Sequence, residues 1–331
     1  MCSGYARGQL RVYAAGSDAS KRHRVFVGCF NHSRNGEGRF SDESHRPRCA
    51  HDSCDLRGTV GILMLPKMIK RAPIFKRILV FLTGVATLLS IADALGQTTP
   101  LNRVLFVGNS YLYYNDGLHN HVKRMVAERY PDTESRRLAY KSSTIGGARL
   151  SHHNIDWLLR PGQIGVDRPF QAVVMQGGSF EPLTAGTQKI FVDTAVNYAE
   201  KVRAVGGKPF LYMTHAYVSP HRRAKPGMIS RISDTYSHAG REAKAEVIPV
   251  GLAFERSYEK RPNFSLHMEF DGTHPNLHGT FLGAYVTFFT LYGDTVGTLD
   301  YDYFGRVSAE EVAYLQRIAR ETVADFRTRD M

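Results

Sequence analysis

Residues 104–110 read Val-Leu-Phe-Val-Gly-Asn-Ser, and this stretch decides the fold of the chain. Four apolar residues in succession are typical of a short strand that is buried on both faces of a parallel sheet. Gly108 permits a tight turn directly after the strand, which would leave the Ser110 hydroxyl at the edge of the sheet. A nucleophilic serine needs this placement, although Gly-Asn-Ser is also ordinary turn chemistry.

Similar segments recur along the sequence and alternate with helical patterns. Strands are predicted near 137–140 and at 172–175, 209–213 and 247–250, and helices at 118–130, 187–205, 229–245, 276–292 and 309–326. Asp116 is expected to cap the first helix. The alternation predicts an α/β fold in which helices cover both faces of a parallel sheet of about five strands. One domain over residues 98–331 suffices.

The charge of the chain is unevenly distributed. Its 331 residues include 43 Lys and Arg against 31 Asp and Glu, a formal net charge of +12. Residues 1–94 hold a net of +8, so the predicted domain is mildly basic and no nucleic-acid partner is expected. Residues 1–67 are predicted to be disordered or a wrongly assigned leader. Their Cys49 and Cys54, near two histidines, suggest a zinc site, but the spacing is poor for one.

Residues 68–94 have the three parts of a secretory signal peptide. Four Lys and Arg follow Met68, residues 78–91 form an apolar run, and Ala92-Asp93-Ala94 supplies a small-x-small cleavage pattern. The apolar run is short for a membrane-spanning helix. We expect cleavage near Leu95 and export of the domain to the periplasm or medium, without stable membrane insertion. An uncleaved anchor and a buried helix are the alternatives.

A second motif with chemical content lies near the carboxyl end of the chain. Residues 271–276 read Asp-Gly-Thr-His-Pro-Asn. Pro275 disfavours helix at His274, and Asn276 can cap the helix that follows. A carboxylate three residues before an imidazole can hold one ring nitrogen while the other faces a substrate. Serine catalysis requires such an oriented base, so Asp271 and His274 are candidate partners of Ser110, although a capping turn with a structural histidine has the same pattern.

Acyl transfer also needs hydrogen-bond donors for the oxyanion that develops in the transition state. The Ser110 N–H is one candidate donor. Gly146 or Gly147, after the second predicted strand, can present a backbone N–H without a side chain in the way, and we favour Gly147. Gln176, at the end of the third strand, can present its side-chain amide.

Four segments, in this order, resemble the sequence blocks of the SGNH/GDSL hydrolases: Gly108-Asn109-Ser110, Gly147, Gln176 and Asp271-x-x-His274. The resemblance implies a flavodoxin-like three-layer α/β/α fold and esterase, lipase or carbohydrate deacetylase activity without a cofactor. It also implies that Ser110 is the nucleophile, His274 the base and Asp271 its orienter, with Ser110, Gly147 and Gln176 in the oxyanion hole.

Two positions depart from the family pattern. Asn109 stands where the family usually has Asp, at a position without a catalytic role. Residues 176–179 read Gln-Gly-Gly-Ser where the third block usually ends in Gly-x-Asn-Asp. The role of Gln176 as a donor therefore depends on its longer side chain reaching the same place.

Other functions remain open at this point. Asp271, His274 and His278 could hold a metal ion in a metal-assisted hydrolase, and Ser179 is a second candidate nucleophile. A non-catalytic exported protein could bind a sugar or acyl group through the tyrosines at 111, 113 and 114. The interpretation favoured by the motifs together is an exported serine hydrolase. It would cleave a small acyl group from a small-molecule or polysaccharide ester through an acyl-enzyme.

Overall fold

The computed structural model describes residues 100–131, 137–293 and 297–330. The predictions for the leader and the signal segment fall on residues outside these ranges, as do Cys49 and Cys54.

A single parallel sheet forms the centre of the described part. Its strands are β1 (Arg103–Gly108), β2 (Ala139–Thr144), β3 (Ala172–Met175), β4 (Lys208–Tyr212) and β5 (Glu246–Ile248). They lie in the order β2-β1-β3-β4-β5, the flavodoxin-like order. The chain order therefore reverses at β1, which pairs with β2 on one side and β3 on the other. Sheets of this kind bind ligands beyond the carboxyl ends of the strands at the reversal point, which is where Ser110 follows β1.

Helices cover both faces of the sheet. They are α1 (Ser110–Tyr113), α2 (Leu118–Arg129), α3 (Ile155–Leu158), α4 (Ala185–Ala204), α5 (Met228–Ala243), α6 (Val250–Lys260), α7 (Leu277–Tyr292) and α8 (Ala309–Asp330). Helices α2, α6, α7 and α8 contribute to the core on one face. Helices α3, α4 and α5 contribute to the core on the other. The predicted three-layer α/β/α fold is confirmed.

The two cores explain why β1 is apolar without interruption. Val104 and Phe106 belong to the core under α7, and Leu105 and Val107 belong to the core under α4. All four side chains are fully buried. Successive residues of a strand point to opposite faces, so a strand covered on both sides needs an apolar residue at every position.

Three local predictions were wrong. Strand β2 begins two residues later than expected, because this edge strand is half-buried and half-polar and has no apolar run to mark it. The first long helix begins after Gly117 rather than under an Asp116 cap, and Asp116 instead pairs with Arg124. Helix α6 was missed, because the strand was extended through Pro249. That proline ends the strand and is the N-cap residue of α6, where its missing N–H costs the helix no hydrogen bond.

In the part of the chain that the structure describes, no helix is both long enough and apolar enough to cross a membrane.

Candidate active site

Ser110 opens the short helix α1 directly beyond β1. The Asn109 side chain caps this helix by accepting from the Tyr111 N–H, and its amide donates to the Ala148 carbonyl. A Cβ on Gly108 would lie within 2.4 Å of the Gln176 side chain, so only glycine fits there. The turn is thus fixed by close packing on both sides, and it holds Ser110 at the point where the strand order reverses.

Ser110, His274 and Asp271 form one hydrogen-bonded chain. The Nε2 atom of His274 lies 2.8 Å from the Ser110 Oγ, and its Nδ1 atom lies 2.6 Å from Asp271 Oδ2. The side chains of His274 and Asp271 are 23% and 20% exposed, so both reach the surface of the cleft. The structure therefore brings together the three residues that the sequence singled out as nucleophile, base and orienter.

The Asp271 carboxylate is held in place by the turn that carries His274. Its Oδ1 atom accepts from the backbone N–H groups of Thr273 and His274, at 2.9 and 3.0 Å. Burial raises the pKa of Asp271, but the Thr273 N–H and the two hydrogen bonds from His274 outweigh burial and leave it below its usual value. Asp271 is accordingly ionised at neutral pH and can stabilise a protonated His274.

A layer of aromatic rings fixes the Asp271–His274 turn against the nucleophile helix. Tyr114 stacks on the His274 ring with centroids 4.3 Å apart, and the Tyr111 hydroxyl lies 2.5 Å from the Thr273 hydroxyl. His215 stacks between Tyr111 and Phe254, with both centroid distances 4.3 Å. These contacts join the end of β1, the end of β4 and the turn at 271–274 into one packed unit.

His215 is a positioning residue that the sequence reasoning missed. Its Nε2 lies 2.7 Å from the Thr273 carbonyl oxygen and therefore donates to it. Burial, followed by the nearby His267, lowers the pKa of His215 well below its usual value, so the ring is neutral. His215 comes shortly after the buried strand β4. A polar side chain just past a strand end was the signal that selected Ser110 and Gln176, and the same signal marks His215.

Two backbone donors are available beside Ser110 Oγ. The N–H groups of Ser110 and Gly147 have no hydrogen-bond acceptor among the described residues. Gly147 has a φ of 67°, a left-handed conformation that favours glycine, and a Cβ there would meet nothing within 4 Å. The Ile145 N–H donates to the Gly108 carbonyl, which places this glycine loop next to the serine turn.

The structure does not bring the Gln176 amide to the proposed oxyanion hole. Its side chain is fully buried, Oε1 accepts from the Asn109 N–H at 3.0 Å, and Nε2 donates to the Gly177 carbonyl at 2.5 Å. The backbone N–H of Gln176 still pairs with the Val107 carbonyl, so the ladder continues one residue past β3 and turns the side chain toward β1. Gln176 thus secures the serine turn and does not face the cleft.

A buried carboxylate links the two glycine loops. Glu181 is fully buried, and its Oε2 accepts from the N–H groups of Gly178 and Leu150, at 2.5 and 3.2 Å. Burial raises the pKa of this group. Glu181 thereby fastens the loop after β3 to the loop that carries Gly147. No local sequence signal marks a carboxylate that will be buried, which is why Glu181 was not predicted.

Ser179 and His278 occupy other positions. The Ser179 hydroxyl accepts from the Tyr217 hydroxyl at 2.8 Å and has no histidine partner among the described residues. His278 lies in the first turn of α7, with Nε2 3.2 Å from Glu311 Oε1 on α8. The residues that the structure describes contain no group of three or more His, Cys, Asp or Glu side chains arranged to hold a metal ion. The structure therefore gives no support to either alternative chemistry.

Comparison with known proteins bears on the fold. No protein-family model and no curated protein matches the chain. A solved structure of a DUF4886 family protein from Bacteroides uniformis is similar over 67% of this chain and 94% of its own, with 17% identity and a TM-score of 0.51. A candidate SGNH hydrolase from Slackia heliotrinireducens covers 58% of this chain and 99% of its own, at 23% identity and a TM-score of 0.44.

An acetylxylan esterase from Geobacillus stearothermophilus, a catalytic mutant, covers 61% of this chain and all of its own, at 13% identity and a TM-score of 0.46. At such identities the likeness concerns the fold alone. The chain has a flavodoxin-like three-layer α/β/α fold and shares it with the DUF4886 family protein. A fold does not determine a reaction, so the chemistry has to be argued from the site.

Proposed function

We propose that this protein is an exported serine hydrolase that removes a small acyl group from a carboxylic ester through an acyl-enzyme. The observation that carries the proposal is the chain from Ser110 Oγ through His274 to Asp271, at 2.8 and 2.6 Å. A serine hydroxyl is a poor nucleophile until an oriented imidazole takes its proton, and this arrangement supplies that imidazole at the edge of the sheet.

The geometry supports a two-step reaction. His274 Nε2 takes the Ser110 proton as Oγ attacks the ester carbon, and the oxyanion accepts hydrogen bonds from the N–H groups of Ser110 and Gly147. The protonated His274, stabilised by Asp271, then gives its proton to the leaving alcohol as the C–O bond breaks. A water molecule, deprotonated by the same Nε2, attacks the acyl-enzyme and releases the acid, and the proton returns to Ser110.

Tyrosines near the nucleophile favour a small acyl group. Tyr114 covers one face of His274. A Cβ on Gly146 would lie 3.4 Å from the Tyr113 hydroxyl, so this ring reaches the glycine loop. We propose that these rings limit the space available to the acyl chain. We therefore expect acetyl esters of 4-nitrophenol to be cleaved faster than butyryl esters, and long-chain esters slowest.

Labelling by a serine-directed fluorophosphonate tests the proposal directly. The wild type should become labelled at Ser110, and Ser110→Ala should not. Ser179→Ala is the matched control, because this second serine lies past the end of a neighbouring strand without a base, and its variant should keep the label. Labelling that survives in Ser110→Ala, or an unlabelled wild type that binds esters without cleaving them, would overturn the mechanism.

Export belongs to the proposal because of the pattern in residues 68–94. The test is expression of the full chain in a bacterial host, with fractionation and N-terminal sequencing of the product. We expect a product outside the cytoplasm that begins near Leu95. An intact chain confined to the cytoplasm would contradict this part.

A further inference from the structure

A basic cavity of about 600 Å³ lies at the same edge of the sheet as Ser110. Its wall comes from three loops that also build the candidate active site: the loop after β2 supplies Arg149, the loop after β3 supplies Phe180, and the loop after β4 supplies Arg223 and Lys225. Arg149 is two residues from Gly147, so the loop that carries the proposed oxyanion donor also supplies part of the cavity wall. A small acyl group would leave most of such a volume to the rest of the substrate.

Four cations line this cavity. Arg149, Arg223, Lys225 and Arg231 form no ion pair with any residue in the described ranges. The Arg149 guanidinium lies 5.0 Å from the centre of the Phe180 ring, and Arg231 Nη1 donates to the Leu183 carbonyl at 2.8 Å. Both contacts hold a guanidinium in place and leave its charge available.

Glu181 and Asp234 form no ion pair with these cations. Glu181 is buried and its Oε2 accepts from two backbone N–H groups; burial raises its pKa, and the charge of Arg149 opposes that rise. Asp234 is exposed one turn along α5 from Arg231 and does not line the cavity. Arg223, Lys225 and Arg231 are exposed to solvent, and four like charges without ion-paired carboxylates create a positive field that attracts anions.

The remaining lining suits a polyhydroxylated molecule. Phe180 contributes an aromatic ring on which a sugar can stack. The hydroxyl groups of Thr184 and Thr187 on the same wall bond to each other and to the first turn of α4. The uncapped first turn of α5, which begins after Gly227 on the cavity wall, adds partial positive charge from its free N–H groups. Arginine forks match carboxylate and sulfate oxygens in a bidentate way.

We propose that the substrate is an acylated acidic saccharide, whose anionic group lies among Arg149, Arg223, Lys225 and Arg231 while its ester lies at Ser110. This inference rests on the proposed ester hydrolysis. It adds the substrate class, in which the alcohol part of the ester is a sugar that carries a carboxylate or a sulfate.

Three matched acetyl esters test the inference: a methyl glucoside, the corresponding glucuronide, and the glucoside 6-sulfate, each acetylated at the same hydroxyl. We expect kcat/KM to be at least about tenfold higher for one or both anionic sugars than for the neutral one. The preference should shrink as ionic strength rises, because salt screens exposed charges. The preferred anion identifies the group that the cavity takes. Equal kcat/KM for all three sugars would overturn the inference.

Charge-removing variants locate the effect. In Arg223→Gln/Lys225→Gln the ratio of kcat/KM for the anionic sugar to that for the neutral sugar should fall about tenfold. Arg160→Gln removes an exposed arginine that does not line the cavity, and its ratio should stay at the wild-type value. Equal ratios in the two variants would place the specificity elsewhere, and thermal melting shows whether each variant is folded.

A binding measurement separates this inference from the proposed function. Ser110→Ala should bind an unacylated glucuronic-acid oligosaccharide in calorimetry more tightly than a neutral oligosaccharide of equal length. If the wild type cleaves neutral nitrophenyl esters but shows no preference in either assay, the substrate class fails and ester hydrolysis stands. If it cleaves no ester and takes no fluorophosphonate label, the proposed function itself fails.

Discussion

Asp271→Asn is the most informative single change, because it keeps the shape of the turn and alters one proton. The oxygen of the introduced amide can still accept from the N–H groups of Thr273 and His274, as Asp271 Oδ1 does at 2.9 and 3.0 Å. The amide NH₂ would then face His274 Nδ1, now 2.6 Å from a carboxylate oxygen. A donor at that place forces Nδ1 to accept, so the ring proton moves to Nε2 and points at Ser110.

Two losses follow for the proposed reaction. The neutral ring no longer presents a lone pair to the Ser110 hydroxyl, and the protonated ring loses its counter-charge. Two unit charges about 4 Å apart interact by about 4 kcal/mol at the effective dielectric constant of a partly exposed pair. That corresponds to about a thousandfold in rate, and the wrong tautomer adds to it.

The assay is kcat for 4-nitrophenyl acetate at pH 7, beside a thermal melt. We expect kcat to fall by about a thousandfold or more, with the melting temperature within a few degrees of the wild type, because both backbone hydrogen bonds are kept and the third is only reversed in direction. Asp271→Ala is the comparison variant: it removes all three and should lower both kcat and stability. Asp271→Asn with wild-type kcat would refute the role of Asp271 as orienter.

Two further predictions concern stability. Gln176→Met should lower the free energy of unfolding by about 1–3 kcal/mol in urea titrations, because the buried Asn109 N–H loses its acceptor. The variant should also have a lower kcat. Unchanged stability and activity would show that Gln176 does not support the serine turn. His267 is 3% exposed, and burial lowers its pKa to about 4, below the unfolded value of about 6.5, so the unfolded chain binds the proton first as pH falls. The stability that the neutral His267 contributes is present above pH 6.5 and is lost between pH 6.5 and 4, by about 3 kcal/mol. In urea titrations, the free energy of unfolding of His267→Gln should depend less steeply on pH than that of the wild type. Parallel curves for the two proteins would contradict the lowered pKa of His267.

The features that the sequence predicted correctly are those with a local cause. An apolar residue at every position of β1 requires cover on both faces, and the proline after His274 requires a turn before α7. Both statements follow from single residues and their neighbours. The sheet, its layers and the contact of the Asp271–His274 pair with Ser110 follow from them, because parallel strands end at one edge.

The features that could not be predicted from the sequence depend on the residue at which a strand ends. Whether β3 ends at Met175 or one residue later decides which way the next side chain points, and no residue type marks the difference. Gln176 accordingly turned inward. The burial of Glu181 depends on two N–H groups in separate loops, so it becomes visible only in three dimensions.

The hydrogen bond between Ser110 and His274 joins residues 164 positions apart. Chain synthesis proceeds from the amino end, so the nucleophile is made long before its base. Until residue 274 has docked beside β1, the serine has an ordinary hydroxyl and no means of losing its proton. Under the proposed mechanism, a growing or partly threaded chain cannot cleave esters, and activity begins only once the whole domain has folded at its destination.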